Sequence, residues 1–354
     1  MGQPAADPTS LADAPRHHRH LAASGRVCAG AIIVLALGAC EGASSTLDPA
    51  GVEAELIARL FWVMLTGAVV VWALVVGLAL YAGLLRPRPH RRRTTRWLIL
   101  GGGVITPTLV LGALLLYGLV LMPQLRKPAA HDGLRIAVSG EQWWWRVRYL
   151  PSAADSTPSA GIVLANEIRL PLGERVEFIL TSPDVIHSFW IPALGGKVDM
   201  IPGRTNTLLL QPTKTGVFRG ACAEYCGTSH AFMRLVVVVM EREAFDQWLR
   251  RQAAPAQPPR TALASSGRQA FIGNGCGACH TIRGTPAAGV VGPDLTHVGS
   301  RASLAAGTLP NDPAAFRRWI GHTHAVKPEA LMPAFGMLPE ADIRAIAIYL
   351  DGLQ

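Results

Sequence analysis

The sequence predicts a multidomain membrane protein with a transmembrane helical hairpin, an all-β domain and a small all-α domain, in that order. Three observations predict this order. Two long apolar runs without charged residues occupy the first third of the chain. Short β-like segments separated by turn residues fill residues 131–250, and a helical pattern fills residues 265–354 after a proline-containing linker at 251–264. With 354 residues, the chain is long enough for several such units.

An N-terminal leader precedes the membrane segments. Residues 1–39 contain three arginines followed by an apolar run at 29–37, which predicts a signal peptide. The leader ends in Leu-Gly-Ala-Cys, which is similar to a lipoprotein signal, so Cys40 is expected to become the lipidated first residue. Ordinary cleavage near this position and an uncleaved anchor are the alternatives. Residues 40–58 are expected to form a short segment outside the membrane.

Residues 59–123 predict the transmembrane hairpin. The uncharged runs at 60–85 and 97–122 each exceed the roughly 20 residues that a helix needs to cross a bilayer. The connection at 86–96 carries six arginines, and positively charged loops stay in the cytoplasm. A multi-pass protein of the bacterial inner membrane is therefore expected, with everything after about residue 123 on the periplasmic face.

The net charge of +9 does not indicate a nucleic-acid partner. The basic excess lies mainly in the leader and in the arginine-rich connection, whereas acidic and basic residues balance within residues 131–250. The charge therefore serves membrane topology rather than nucleic-acid binding.

Five short segments within residues 131–250 predict strands of a β-sandwich or barrel. They are 134–138, 145–149, 175–180, 205–210 and 235–240. In the C-terminal unit, Ser266 is expected to cap a short helix, and Pro339-Glu340 is expected to start a last helix. The apolar face of that last helix consists of Ile343, Ile346, Ala347 and Leu350.

Four potential metal ligands occupy one loop in the pattern C-x3-C-x3-H-x2-M. They are Cys222, Cys226, His230 and Met233. Thiolates and a thioether are soft ligands that suit copper, and His187 supplies a second imidazole from the upstream segment DVIHSFW. Two cysteines, two histidines and a methionine exceed the needs of one copper and suit two coppers bridged by thiolates. A disulfide or a zinc site is the alternative for a C-x3-C pair.

The motif Cys276-Gly-Ala-Cys279-His280 predicts covalent attachment of a c-type haem, with His280 as the proximal iron ligand. A thioredoxin-like pair or half of a zinc site is the alternative, but the adjacent histidine and the lack of a second C-x-x-C disfavour both. Met332 and Met337 are the candidates for the sixth iron ligand.

The strings DVIHSFW, KVDMIPGR and CAEYCGTSHAFM resemble the CuA domain of subunit II of the haem–copper oxidases, the cytochrome c oxidase family. The resemblance implies a cupredoxin Greek-key fold and a binuclear CuA centre. Its ligands in this chain are Cys222, Cys226, His187, His230, Met233 and the backbone carbonyl of Glu224. The C-terminal unit is similar to a class I cytochrome c, which favours Met332 as the haem ligand and makes the Pro293 carbonyl the partner of His280.

The same resemblance implies two further roles. Trp143, the first tryptophan after Gln142, corresponds to the aromatic residue through which electrons reach the copper site. The Glu224 side chain corresponds to a ligand of a Mg2+ ion shared with subunit I, and carboxylate oxygens suit that ion.

The function expected from these patterns is electron transfer in a bacterial terminal oxidase. Electrons would pass from a donor, such as a cytochrome c or a bc1-type complex, through the chain's own haem to CuA. They would continue to the haem and copper centre of subunit I, where O2 is reduced to water. The CuA subunit of a nitric oxide reductase and a stand-alone membrane-tethered electron carrier are the alternatives. A copper-delivery protein fits less well, because such proteins carry fewer ligands.

Overall fold

The computed structural model describes residues 42–85, 91–125, 133–150 and 161–354. The predicted leader, including Cys40, lies outside these residues. Helix α1 spans Val52–Leu80 and continues with π-helical geometry over Tyr81–Leu85. Helix α2 spans Arg92–Trp97, a π-helical stretch covers Leu98–Ile105, and helix α3 spans Thr106–Leu125. Two helical segments, Val52–Leu85 and Arg92–Pro123, are long and apolar enough to cross a membrane.

Helix α1 begins eight residues before the predicted apolar run, because its first turn packs against the β-rich part of the chain. Glu53 is buried, forms an ion pair with Arg175 at 3.0 Å, and accepts a hydrogen bond from the Gln211 backbone at 2.9 Å. Ala54 and Ala58 are buried beside it. The start of this helix is therefore fixed to the β-rich unit.

Ten strands of the described residues form two five-stranded sheets. These sheets and the helix that follows them are called the β domain. The strands are β1 Arg135–Glu141, β2 Trp144–Leu150, β3 Val163–Ala165, β4 Glu167–Pro171, β5 Val176–Thr181, β6 His187–Trp190, β7 Val198–Met200, β8 Asn206–Leu210, β9 Gly216–Cys222 and β10 Arg234–Met240. One sheet has the order β3-β2-β1-β5-β8 and the other β4-β10-β9-β6-β7. The five predicted strands match β1, β2, β5, β8 and β10 within a few residues.

Both sheets contribute to one apolar core. Strands β1, β2, β5 and β10 alternate buried and more exposed residues, as expected for sheets with one buried face. Helix α4, Arg242–Ala253, adds Phe245 and Trp248 to this core. The result is the two-sheet sandwich that the cupredoxin resemblance implied.

Residues 262–354 form the C-terminal domain, which has a separate apolar core. Its helices are α5 Ala262–Gly273, α6 Pro313–Gly321, α7 Thr323–Val326 and α8 Glu340–Asp351. The predicted apolar face of α8 is confirmed, since Ile343, Ile346, Ala347 and Leu350 are all buried.

The prediction that Ser266 caps a helix is wrong. Ser266 lies inside α5, where its hydroxyl donates to the Ala262 carbonyl. The cap is Thr261, whose side chain accepts a hydrogen bond from the Ala264 backbone at 3.1 Å. The helix begins one turn earlier than the motif suggested, because a threonine in extended conformation can satisfy the free amide groups of its first turn.

Candidate copper and haem sites

The loop from Cys222 to Met233, called the ligand loop, connects two paired strands. Strand β9 ends at Cys222 and β10 begins at Arg234, so both ends of the loop are fixed by the antiparallel ladder between these strands. Strand β6 pairs with β9 so that Phe189 lies opposite Cys222. This register brings His187, the first residue of β6, to the ligand loop from 35 residues away.

The structure brings together all six groups that the resemblance predicted as copper ligands. The Cys222 sulfur lies 3.8 Å from the Cys226 sulfur, 3.8 Å from His187 Nδ1 and 3.2 Å from the Glu224 carbonyl oxygen. The Cys226 sulfur lies 3.5 Å from His230 Nδ1 and 3.9 Å from the Met233 sulfur. Both cysteines are free thiols, so the geometry disfavours the disulfide alternative.

The two thiols influence each other strongly. A hydrogen bond between them, together with one from His187, lowers the pKa of Cys222 and favours its thiolate. The same neighbouring thiolate raises the pKa of Cys226. Metal ligation requires both sulfurs as thiolates, but the charge of the Cys222 thiolate opposes ionisation of Cys226. Bound metal cations would offset this repulsion, so the pair of sulfurs fits a metal site.

Asp184, which the sequence analysis did not assign, fixes the orientation of His187. Its Oδ1 lies 2.9 Å from His187 Nε2, which leaves Nδ1 directed at Cys222. Its Oδ2 accepts the Gln142 backbone amide at 2.7 Å. Burial lowers the pKa of His187, but hydrogen bonds with Cys222 and Asp184 outweigh this and raise it overall. A carboxylate behind a ligating imidazole is a common means of fixing the ring.

The region next to the ligand loop contains the predicted electron-input residue. Trp143 is only 6% exposed, and its indole nitrogen donates to the Cys226 carbonyl at 3.0 Å. Gln142 donates to the same carbonyl at 2.8 Å. The side chain of Glu224, in contrast, is exposed on the outer side of the loop. The Trp143 indole thus contacts the backbone of Cys226, one of the predicted copper ligands.

In the C-terminal domain, the residues around His280 fit a haem. The imidazole Nδ1 lies 2.8 Å from the Pro293 carbonyl, as predicted, which leaves Nε2 for the iron. Burial lowers the pKa of His280, which favours the neutral ring that a metal requires. Gly292 is required here, since a Cβ at that position would lie 2.6 Å from the imidazole.

Burial separates the two candidate iron-binding methionines. Met332 packs against the core of the C-terminal domain, whereas Met337 is 76% exposed. The buried Arg301 Nε has no hydrogen-bond partner among the described residues, although another nitrogen of the same guanidinium donates to the Asp294 carbonyl. The residues around His280 therefore fit a haem, and Met332 is the less exposed of the two candidate distal ligands.

Comparison with known families agrees with both sites. Residues 134–240 match the family model described as cytochrome c oxidase subunit II, periplasmic domain. Residues 264–354 match the family model of cytochrome c. The chain carries an oxidase subunit II domain and a cytochrome c domain. The first match contains the ligand loop, and the second contains the C-x-x-C-H motif.

The chain is similar to subunit 2 of cytochrome c oxidases from several bacteria. Cytochrome c oxidase subunit 2 of Alkalihalophilus pseudofirmus is 39% identical over 219 residues, which are 62% of this chain and 61% of the relative. The same subunit of Bacillus sp. strain PS3 is 33% identical over 229 residues, 62% of each chain. The chain thus spans somewhat less than two thirds of these relatives.

Among solved structures, the chain is similar to the periplasmic domain of subunit II of the cytochrome oxidase of Bradyrhizobium japonicum. The sequence identity is 31%, and the alignment covers 36% of this chain and 97% of that chain, with a TM-score of 0.32.

Proposed function

We propose that this chain is the electron-input subunit of a bacterial terminal cytochrome c oxidase. Its cytochrome c domain would receive electrons from a donor and its CuA centre would pass them to subunit I, where O2 is reduced. The observation that carries the proposal is the convergence of two thiols, two imidazoles, a thioether and a carbonyl, in which neighbouring groups lie 3.2–3.9 Å apart. The ligand loop supplies all of them except His187, which comes from β6. That donor set suits copper electron-transfer centres.

The cofactors supply the redox chemistry, and the chain supplies their binding and orientation. Cys222 and Cys226 would bridge the copper pair, with His187, His230, Met233 and the Glu224 carbonyl completing its ligands. Cys276 and Cys279 would attach the haem, with His280 and Met332 on the iron. Asp184 and the Pro293 carbonyl hold the two imidazoles His187 and His280 in the orientation that ligation needs.

The exposed side chain of Glu224 supports a contact with subunit I. The shared Mg2+ would bind the Glu224 carboxylate, because Glu224 is exposed and carboxylate oxygens suit this ion. The backbone carbonyl of the same residue lies 3.2 Å from the Cys222 sulfur. The other oxidase subunits would bind the membrane hairpin, whose apolar side chains are exposed along both helices. The chain would thereby lie in the inner membrane as a multi-pass protein, with both soluble domains on the periplasmic face.

Purification from the native membrane in mild detergent tests this proposal. We expect the chain to co-purify with a large polytopic subunit that contains haem a and one copper. The complex should then hold three coppers, two of them bound by this chain, and one covalent haem. Rapid reduction of the covalent haem should be followed by reduction of the copper pair and then by O2 consumption.

Three outcomes would contradict the proposal. Recovery of the chain without a haem-containing partner would favour the stand-alone electron carrier. A partner that reduces nitric oxide instead of O2 would favour the reductase. A complex with two coppers in place of three would leave only one for this chain and would exclude the binuclear centre.

A further inference from the structure

The β domain and the C-terminal domain are joined by direct hydrogen bonds close to both metal sites. Ser229 of the ligand loop donates to the Pro328 carbonyl at 2.6 Å. The Arg234 amide donates to the Ala306 carbonyl at 3.2 Å, and Arg146 donates to the Val291 carbonyl at 3.0 Å. The Ala302 amide donates to Glu167 at 2.8 Å. The two domains therefore form a defined interface.

Lys327 lies at the centre of this interface. It is 3% exposed, and its amine donates to the carbonyls of Trp143 and Phe232 in the β domain and of Ala305 in its own domain. Three acceptors match the three donors of an ammonium group. Burial lowers the pKa of Lys327 to about 7, and the nearby Cys226 opposes this effect.

This burial distinguishes Lys327 from the other lysines that the structure describes. The side chains of Lys197 and Lys214 are 48% and 55% exposed, and each pairs with an aspartate, at 3.7 and 3.0 Å. The ion pairs found among the described residues do not include Lys327. Burial of an ammonium without a carboxylate is costly, so its carbonyl partners must compensate for the lost water.

The partners of this interface are direct neighbours of predicted copper ligands. Phe232, whose carbonyl accepts from Lys327, precedes Met233 in the chain. Trp143, the second acceptor in the β domain, donates from its indole to the Cys226 carbonyl. Ser229, bound to Pro328, precedes His230. Each contact is therefore one residue or one hydrogen bond away from a ligand.

The same contacts lead to the haem site on the other side. Lys327 and Pro328 begin the segment 327–332, called the Met332 segment, which ends at the predicted distal ligand. Arg146 contacts Val291, two residues before the Pro293 whose carbonyl holds His280. Arg146 is itself fixed by two hydrogen bonds to Glu141, at 2.7 and 3.1 Å. Segments from both sides of the haem site are thus bound to the β domain.

We propose that Lys327 is a positioning residue that holds the Met332 segment against the ligand loop, and that this contact is where electrons cross from the cytochrome c domain to the copper domain. The inference rests on the function proposed above. One electron crosses without proton transfer or bond formation, oxidising the C-terminal domain and reducing the β domain. Trp143 would then receive electrons from the C-terminal domain of the same chain, because its carbonyl accepts a hydrogen bond from Lys327 of that domain.

Replacement Lys327→Met in the full-length chain of the purified complex tests this role. Methionine keeps an unbranched side chain as far as Cε, but it lacks the amine and cannot donate to the carbonyls of Trp143 and Phe232. After rapid reduction of the haem, we expect electron arrival at copper to slow by about tenfold or more, since small misplacements of reacting groups have large effects on rate. The copper EPR signal and the methionine-to-iron absorption band should both remain.

Hydrogen exchange gives a readout that does not depend on oxidase activity. In Lys327→Met, amides of the Met332 segment and of residues 227–233 should exchange faster, while amides of helix α8 keep their protection. Lys214→Met is the matched control, because the Lys214 side chain is 55% exposed and its amine pairs with Asp48. It should leave both the transfer rate and the exchange pattern unchanged.

The outcomes separate this inference from the proposed function. An unchanged transfer rate in Lys327→Met would overturn the inference and leave the function intact. If the unsubstituted chain shows no electron transfer from haem to copper, the proposed function itself fails. If Lys327→Met loses its absorption band through unfolding, Ser229→Ala decides, because it removes the adjacent bond to Pro328 with a change of one atom. Slower transfer in that variant supports the contact, and unchanged transfer overturns it.

Discussion

The ligand loop of the β domain and the ligand-bearing segments of the C-terminal domain are held in place by different means. The predicted copper ligands lie in and beside the loop between β9 and β10 and at the start of β6. Ladder hydrogen bonds set their positions, and their ligating atoms lie next to one another. His280 and Met332 belong to segments without regular structure, which are supported by the packing of helices α5, α6 and α8. Sheet register defines the first site and helix packing the second. Substitutions should therefore damage one site without the other.

The largest effect is expected from Gly267→Ala, which should destabilise the C-terminal domain. A Cβ at Gly267 in α5 would lie 2.0 Å from the Ala345 carbonyl oxygen of α8, so the two helices would have to separate. We expect a loss of about 3 kcal/mol, the upper end for overpacked cores, and reduced haem content. Thermal unfolding and the haem spectrum measure this.

Gly273→Ala is its matched control, because it lies in the same helix and its Cβ would meet no atom within 4 Å. The two-copper EPR signal should survive in both variants. Loss of that signal in Gly267→Ala would show that the copper site depends on the C-terminal domain. It would contradict the view that sheet register alone holds the copper site.

The next largest effect is expected when one cysteine of either site is replaced by serine. Cys222→Ser removes one bridging thiolate and should abolish the binuclear copper signal, while the haem spectrum stays unchanged. Cys279→Ser should weaken covalent haem attachment and leave the copper signal intact. EPR and denaturing-gel haem staining distinguish these results. If either variant lost both cofactors, the two sites would not be independent.

A smaller and more local effect is expected from the distal methionine. Met332→Leu should lose the methionine-to-iron absorption band and lower the reduction potential of the haem, since methionine ligation raises it. Met337→Leu should keep both, because Met337 is exposed and outside the core. Optical spectra with a redox titration check this. A band that survives in Met332→Leu and disappears in Met337→Leu would reverse the assignment.

The smallest effect is expected from Asp184→Asn, which leaves all copper ligands in place. The amide would orient His187 less firmly than the carboxylate does, so copper affinity should fall by about 10- to 100-fold. Competition with a chelator measures it. Asp246→Asn is the control, since this half-buried carboxylate of α4 pairs with Arg242. Equal affinities of the two variants would show that Asp184 has no role in orienting the ligand.

The sequence indicated the candidate ligands more readily than the residues around them. The ligand loop carries four side-chain ligands within twelve residues, so its spacing alone indicated a metal site, and the C-x-x-C-H motif is equally local. Asp184 was missed although it lies three residues before His187, because a lone aspartate in a loop has no distinctive pattern. Thr261 was missed as a helix cap because Ser266 offered the same chemistry nearer to the motif.

Short stretches of sequence thus determined the candidate membrane helices, the main strands, the terminal helix and the types of candidate metal ligand. Each of these depends on residues within about 30 positions of one another. Only the tertiary structure decided that β6 pairs with β9, which joins His187 to the ligand loop. It also placed Lys327 against carbonyls 95 and 184 positions away. Such contacts arise when distant segments pack together and bury their polar groups against one another, and no short window of sequence contains both partners.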